Sequence, residues 1–203
     1  MITALHGFLG APSDWNFLRD AGFEIETPKL DAIPPRGDTL LGYSLGGRLA
    51  LHALLAGADY ERAIFISTGL GIEDESARAA RRASDEAWAH RFESEDWDTV
   101  IRDWNAQPVL AGHSLPRTRA DYDPRALREW SSAALPPVAS RLHELTIPTL
   151  WIAGARDTKY VAEAHRAASL ARNARVILVE NAGHRVPWEQ QESLIAILRD
   201  FLD

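Results

Sequence analysis

Two spacings of apolar residues run through the chain, and together they predict alternating strands and helices. Ile2 to Leu5 is a short apolar run that leads into His6-Gly7-Phe8-Leu9-Gly10, a buried strand feeding a glycine-punctuated loop. Pro12-Ser13-Asp14 predicts a helix start with Asp14 or Ser13 as the cap, followed by Trp15, Phe17 and Leu18. Phe23 to Thr27 is a second strand pattern, ended by Pro28, and residues 28–38 form a proline-rich connection without helical periodicity. Thr39 to Tyr43 reads as a third strand. Leu45, Leu49, His52 and Ala53 then fall at helical spacing and predict a helix over Leu45 to Leu55. Arg62 to Ser67 is a fourth buried strand.

The pattern changes beyond that point. Residues 73–131 are charged, rich in arginine and tryptophan, and helical in spacing, with breaks at Pro108, Gly112 and Pro116. No strand pattern occurs there, which predicts a helical cap inserted over 73–145, between core segments 1–72 and 146–203. Strand character returns at Pro148 to Ala153 and at Arg175 to Val179. Val161 to Ala171 is helical between them, and Glu189 to Leu202 closes the chain as an amphipathic helix. Strands alternating with helices imply an α/β fold with a parallel sheet covered on both faces. Ligands of such sheets sit beyond the carboxyl ends of the strands, where His6-Gly7, Ser44 and the loop after Ala153 all fall.

Composition narrows the chemistry. With 203 residues, 46% hydrophobic and 25% charged, the chain is an ordinary globular domain large enough for a sizeable core. A net charge of −7 argues against a nucleic-acid or anionic-membrane surface, so an anionic substrate requires local arginines. The absence of cysteine excludes disulfides, thiol nucleophiles and cysteine metal sites. No apolar run approaches membrane-spanning length and no leader pattern opens the chain, so a cytoplasmic location is expected. No metal-ligand cluster, phosphate loop or nucleotide fingerprint competes, so neither metal nor cofactor is expected.

Gly42-Tyr43-Ser44-Leu45-Gly46 joins the third strand to the following helix. Small residues flank the serine because a tight strand-to-helix turn strains the central residue and brings neighbouring backbone close. That turn lifts the hydroxyl above the sheet at a helix N-terminus, where free amides favour developing negative charge. A serine hydroxyl becomes reactive when an imidazole takes its proton, and the imidazole needs a carboxylate to hold its tautomer. Of the histidines, only His184 follows the last strand in a loop, Asn181-Ala182-Gly183-His184; Asp157 follows the preceding strand in a comparable loop. The backbone N–H groups of Leu45 and Phe8 are the expected oxyanion hole. His6 is expected to be structural.

The order Ser44, Asp157, His184 is that of α/β-hydrolases, and the loop at His6 to Gly10 and the elbow at Gly42 to Arg48 resemble that superfamily. Within it, Arg81 to Phe92, Asp103 to Val109 and Gly154 to Tyr160 resemble the 2-succinyl-6-hydroxy-2,4-cyclohexadiene-1-carboxylate synthases of menaquinone biosynthesis. The resemblance implies a lyase that eliminates pyruvate from a cyclohexene polycarboxylate, with Ser44, activated by His184 and Asp157, removing a ring proton. It also implies that Arg48 and Arg81 bind substrate carboxylates and that Trp104 and Tyr43 line the site. Guanidinium forks suit carboxylates bidentately. The family's usual first two strands, and the helix before the elbow strand, are expected to be missing. That leaves a compact α/β-hydrolase fold of about six mostly parallel strands, with one face thinly covered, a gap that self-association could fill; whether the protein is a monomer or homo-oligomer stays open. Two alternatives remain: a small serine esterase, thioesterase or carbon–carbon hydrolase using the same triad, and a non-catalytic protein on the same fold.

Overall fold

In the computed structural model, which describes residues 1–110 and 113–203, six strands form one parallel sheet. They are β1 (Ile2–Leu5), β2 (Ile25–Glu26), β3 (Arg36–Tyr43), β4 (Asp59–Ile66), β5 (Thr149–Gly154) and β6 (Ala174–Val179), in the spatial order β2-β1-β3-β4-β5-β6. The central strands are apolar on both faces, as a sheet covered on both sides requires; all six residues of β5 are buried. β3 and β4 begin earlier than the apolar runs suggest, with Arg36 opposite Asp59 and Gly37 opposite Tyr60. Arg36, Asp38, Asp59 and Glu61 in their first residues are exposed while Tyr60 is buried, so no continuous apolar run marks these starts.

One face is covered by α2 (Leu45–Leu55) and α6 (Thr158–Leu170), whose Leu49, Leu54, Ala164 and Ala167 pack on Leu5, Leu40, Phe65 and Trp151. The other carries α1 (Asn16–Asp20) and α8 (Gln191–Leu202), which set Leu18, Leu194 and Leu198 against Ile2, Leu41, Ile64 and Ile152. The connection between β2 and β3 forms no helix. Its Leu30 and Ile33 nevertheless pack against the first cluster and supply part of the cover that a helix would give. Among the described residues the large hydrophobics left exposed are Met1, Val109, Leu170 and Leu178, none of them in that connection.

The start of the first helical segment differs from expectation. Residues Pro12–Trp15 form a single 3₁₀ turn before α1, and neither Ser13 nor Asp14 caps it; the cap position is Ala11. The Asp14 side chain instead turns back to accept the Ala11 N–H at 3.1 Å and is taken up by Arg117. The one carboxylate thus serves both the Ala11 N–H at the turn and the Arg117 guanidinium.

Between β4 and β5 lie α3 (Glu75–Ser94), α4 (Trp97–Asn105) and α5 (Arg125–Arg128), with no strand among the described residues. Asp74 and Asp96 cap α3 and α4, accepting the N–H groups of Ala77 at 2.7 Å and Thr99 at 3.0 Å. Both helices lay aromatic faces on the loop after β1: Phe8 packs on Phe92 and Trp104 at ring separations of 5.4 and 4.8 Å, with Trp88, Trp97 and Tyr122 around them. The helical segment therefore rests on the sheet end where β1 and β3 finish. A 3₁₀ turn at Pro108–Leu110 follows α4. The break expected at Gly112 lies outside the described residues. No helix among those described is long and apolar enough to cross a membrane.

Candidate active site

The site begins with one strained residue. Between β3 and α2, Ser44 adopts φ 52° and ψ −110°, a left-handed backbone that a non-glycine residue occupies only when its surroundings over-determine it. Here the surroundings do so: the Ser44 N–H donates to Ile66 O at 2.8 Å, and the Ser44 carbonyl accepts from Arg48 N at 3.1 Å. Gly46 lies so close to β1 that a Cβ on it would stand 2.4 Å from the His6 carbonyl oxygen. The two glycines of the motif are thus there for close approach as much as for the turn.

Ser44, Asp157 and His184 converge from three strand ends. His184 Nε2 lies 3.1 Å from Ser44 Oγ, and its Nδ1 lies 2.8 Å from Asp157 Oδ2. A carboxylate accepts only, so Nδ1 is the protonated nitrogen and Nε2 keeps the lone pair that faces the serine hydroxyl. His184 and Asp157 are buried, so neither is an idle surface residue. Asp157 also caps α6, its Oδ1 accepting the Tyr160 N–H at 3.3 Å. Capping and pairing with histidine use different oxygens and occur together. The Tyr160 ring lies 4.5 Å from the imidazole, centre to centre, and burial raises its hydroxyl pKa to about 12.

A cavity of about 260 Å³ opens at Ser44, bounded by Phe8, Tyr43 and Leu45 on the sheet side and by Trp88 and Trp104 on the helical side. No hydrogen bond among the described residues uses the backbone N–H of Phe8 or Leu45. At the first residue of a helix such a free donor is built into the geometry. Tyr43 is buried, and its hydroxyl pKa is pushed up by that burial. His6 is turned away from the chemistry: its Nδ1 meets Gly7 O at 2.9 Å, and burial lowers its pKa.

The cavity wall carries five cations, Arg48, Arg81, Arg117, Lys159 and Arg185, against two carboxylates, Asp14 and Asp85. Arg48 is 4% exposed. Its Nη2 donates to Pro136 O at 3.0 Å, while Nε and Nη1 are buried without a partner among the described residues. Burial pulls its pKa down to about 10. Buried donors are nearly always paired, so these two stand out as exceptions among the described residues. Arg81 donates through Nε to Asp85 Oδ1 at 2.7 Å. Lys159 is held below its ordinary pKa by burial and by the neighbouring charge of Arg81.

Arg117 makes a two-pronged pair with Asp14 at 2.8 and 3.0 Å, tying the helical segment to the loop after β1. Arg185 donates to Asn105 Oδ1 and to the His113 carbonyl, tying the same segment to the loop that carries His184. Sequence reasoning did not single out Lys159, Arg117 or Arg185 as site residues. Lys159 and Arg185 could have been found, because they sit within two residues of Asp157 and His184; Arg117 directly follows the break at Pro116 and is one of many arginines in 73–131.

The sequence model of the alpha/beta hydrolase family matches residues 4–197. The chain belongs to the alpha/beta hydrolase family. Within it, the chain is similar to the 2-succinyl-6-hydroxy-2,4-cyclohexadiene-1-carboxylate synthases of Salmonella arizonae and Salmonella newport. Each is 33% identical over 174 residues, covering 80% of this chain and 67% of the relative. Among solved structures, MenH from S. aureus superposes with a TM-score of 0.89 at 25% identity, covering 99% of this chain and 92% of that one. An esterase from Exiguobacterium antarcticum superposes at 0.72 with 13% identity, over 99% and 91% of the two chains, which is a likeness of fold. The synthase relatives place this chain among enzymes.

Proposed function

We propose that the protein is a carbon–oxygen lyase of menaquinone biosynthesis that eliminates pyruvate from a succinyl-cyclohexene polycarboxylate to leave 2-succinyl-6-hydroxy-2,4-cyclohexadiene-1-carboxylate. The observation that carries this reading is the pairing of a serine hydrogen-bonded to His184 with a cavity wall of five cations, Arg48 among them one helical turn past Ser44. A polyanion entering a protein of net charge −7 needs such fixed counter-charges. The names of the synthase relatives supply the product, 2-succinyl-6-hydroxy-2,4-cyclohexadiene-1-carboxylate.

Ser44 acts as the base, its hydroxyl proton drawn to His184 Nε2 while Asp157 stabilises the imidazolium that forms. The serine oxygen takes a proton from a ring carbon of the substrate. The electron pair released moves through the ring, and the bond between ring carbon and ether oxygen breaks. Pyruvate leaves as its enolate, which takes the excess proton held on His184 and becomes the keto acid, returning the triad to its starting state. The N–H groups of Phe8 and Leu45 steady charge on a substrate oxygen as it develops. Arg48 and Arg81 hold carboxylates, with Lys159 a further cation at the same wall, and Tyr43 and Trp104 shape the apolar part. The helical segment 73–145 serves as a cap that keeps water from the site.

The test is to incubate purified protein with the pyruvate-bearing intermediate and measure pyruvate release. Ser44→Ala should lose about 10³-fold or more in kcat, since triad members act as a unit. Arg48→Ala should raise KM about tenfold or more, in line with the loss of a charge-assisted pair. Hydrolysis of nitrophenyl esters without pyruvate release would instead mark a serine hydrolase, and wild-type turnover by Ser44→Ala would remove the mechanism.

A further inference from the structure

The loop that presents His184 is gripped from below by one side chain outside the triad. Glu189 ends α7 (Val186–Glu189), and its side chain is 7% exposed. Its Oε2 accepts the Gly183 N–H at 2.8 Å and its Oε1 accepts the Arg185 N–H at 3.1 Å. These are the amides immediately before and after His184. Arg156, the neighbour of Asp157, donates to the same Oε2 at 3.1 Å and also to the Asn181 carbonyl. From the opposite side, Ser67 Oγ donates to the His184 carbonyl at 2.9 Å.

We infer that Glu189 is a positioning residue: its carboxylate holds the two amides that flank His184 and thereby sets the imidazole between Ser44 and Asp157. Through Arg156 the same carboxylate joins the histidine loop to the aspartate loop. The inference rests on the reading of Ser44, His184 and Asp157 as the catalytic unit. A helix cap alone does not account for the contacts, because Gly183 lies two residues ahead of the cap position of α7 and Arg156 comes from another loop. Hydrogen bonds to an ionised acceptor are about twice as strong as neutral ones, so one carboxylate holding two amides is a stiff link. Stiffness matters here, because His184 must meet Oγ at 3.1 Å and Oδ2 at 2.8 Å at once.

The test uses Glu189→Gln and Glu189→Ala in the full chain, with Arg156→Ala as a third variant; Arg156 is 63% exposed, so its removal should leave folding intact. Three quantities are read: kcat and KM for pyruvate release, the cooperative thermal melt, and the downfield proton resonance of the imidazole N–H shared with Asp157. Gln keeps one acceptor and presents a donor to the other amide, so kcat should fall roughly tenfold. Ala should lose about 100-fold, the scale expected of an ångström-sized misplacement of a catalytic group. KM should stay within about twofold for both, and the resonance should broaden or shift in the same order without any substrate present. Arg156→Ala should show a smaller change of the same kind. Folded Glu189 variants with wild-type kcat and an unchanged resonance would overturn the assignment, as would a lower melting temperature as their sole effect. Ser44→Ala in the same assay separates the two layers. If it too keeps turnover, the triad reading has failed; if it alone is dead, the clamp has failed and the triad stands.

Discussion

Gly46→Ala puts the elbow to a quantitative test. A Cβ there would stand 2.4 Å from the His6 carbonyl oxygen and 2.5 Å from that of Leu5, where real Cβ contacts essentially never fall under 3.0 Å. Both obstacles are backbone at the end of β1, so neither can swing aside as a side chain would. The start of α2 must retreat by about 1 Å to restore ordinary contact, because packed interiors have no slack to absorb the atom. Ser44 is anchored to that helix start through its own carbonyl, and its Oγ sits 3.1 Å from His184 Nε2. A retreat of that size lengthens the contact beyond hydrogen-bonding range. A displacement of 1 Å costs about 10²-fold in rate, or roughly 2.7 kcal/mol of barrier. Overpacking costs about 1–3 kcal/mol of stability, which for a chain of this size lowers the melting temperature by roughly 5 °C. The assay is kcat for pyruvate release on the folded variant, beside a thermal melt followed by circular dichroism. Gly57→Ala is the control: its φ is +102° and nothing lies within 4 Å of the added Cβ, so it should lower the melt through backbone strain and leave kcat alone. A Gly46→Ala enzyme with wild-type kcat would refute the claim that contact between α2 and β1 sets the serine.

Two further perturbations probe other parts of the molecule. Arg117→Ala strands Asp14, whose side chain is 6% exposed against 11% for Arg117. Breaking a buried pair by removing one partner costs about 3 kcal/mol or more. The melting temperature should therefore fall by roughly 6–12 °C, and a fall below about 3 °C would show the pair to be of little consequence. His52 is half-buried on α2, with its pKa lowered to about 4 by burial first and then by the charges of Arg48 and Arg141. The unfolded chain takes up this proton near pH 6.5 and the folded chain only near pH 4, so stability is lost as pH falls across that window and is unaffected above it. His52→Gln should remove this part of the acid sensitivity. A stability difference between wild type and variant that stays constant from pH 7 to pH 4 in urea titrations would contradict it.

Legibility from sequence followed the range of the forces involved. The helix over Leu45 to Leu55 has the limits that its spacing suggests, because apolar periodicity and the preceding turn both act within a few residues. The strands were placed where their apolar runs lie, but the ends of β3 and β4 were not, because their exposed first residues carry no hydrophobic mark. The aspartate at position 14 illustrates the opposite case. Its neighbours made it look like a cap, and its partner lies 103 residues away. Arg48 was expected to bind a substrate carboxylate, but its burial against Gly71 and Pro136 comes from packing that no local signal carries.

What the sequence determined by itself is local chemistry: a glycine-flanked serine that must turn sharply, strands alternating with helices, and an acid and a histidine each placed just after a strand. Backbone sterics and side-chain periodicity operate over short stretches and can be read there. The tertiary structure alone decided how closely His184 meets the serine 140 residues earlier and the aspartate 27 residues earlier, which of its nitrogens faces each, and which arginines turn inward. Those outcomes depend on how the six strands are ordered in the sheet and on what packs above their ends. Such contacts join segments far apart in the chain, and no short stretch of it carries them.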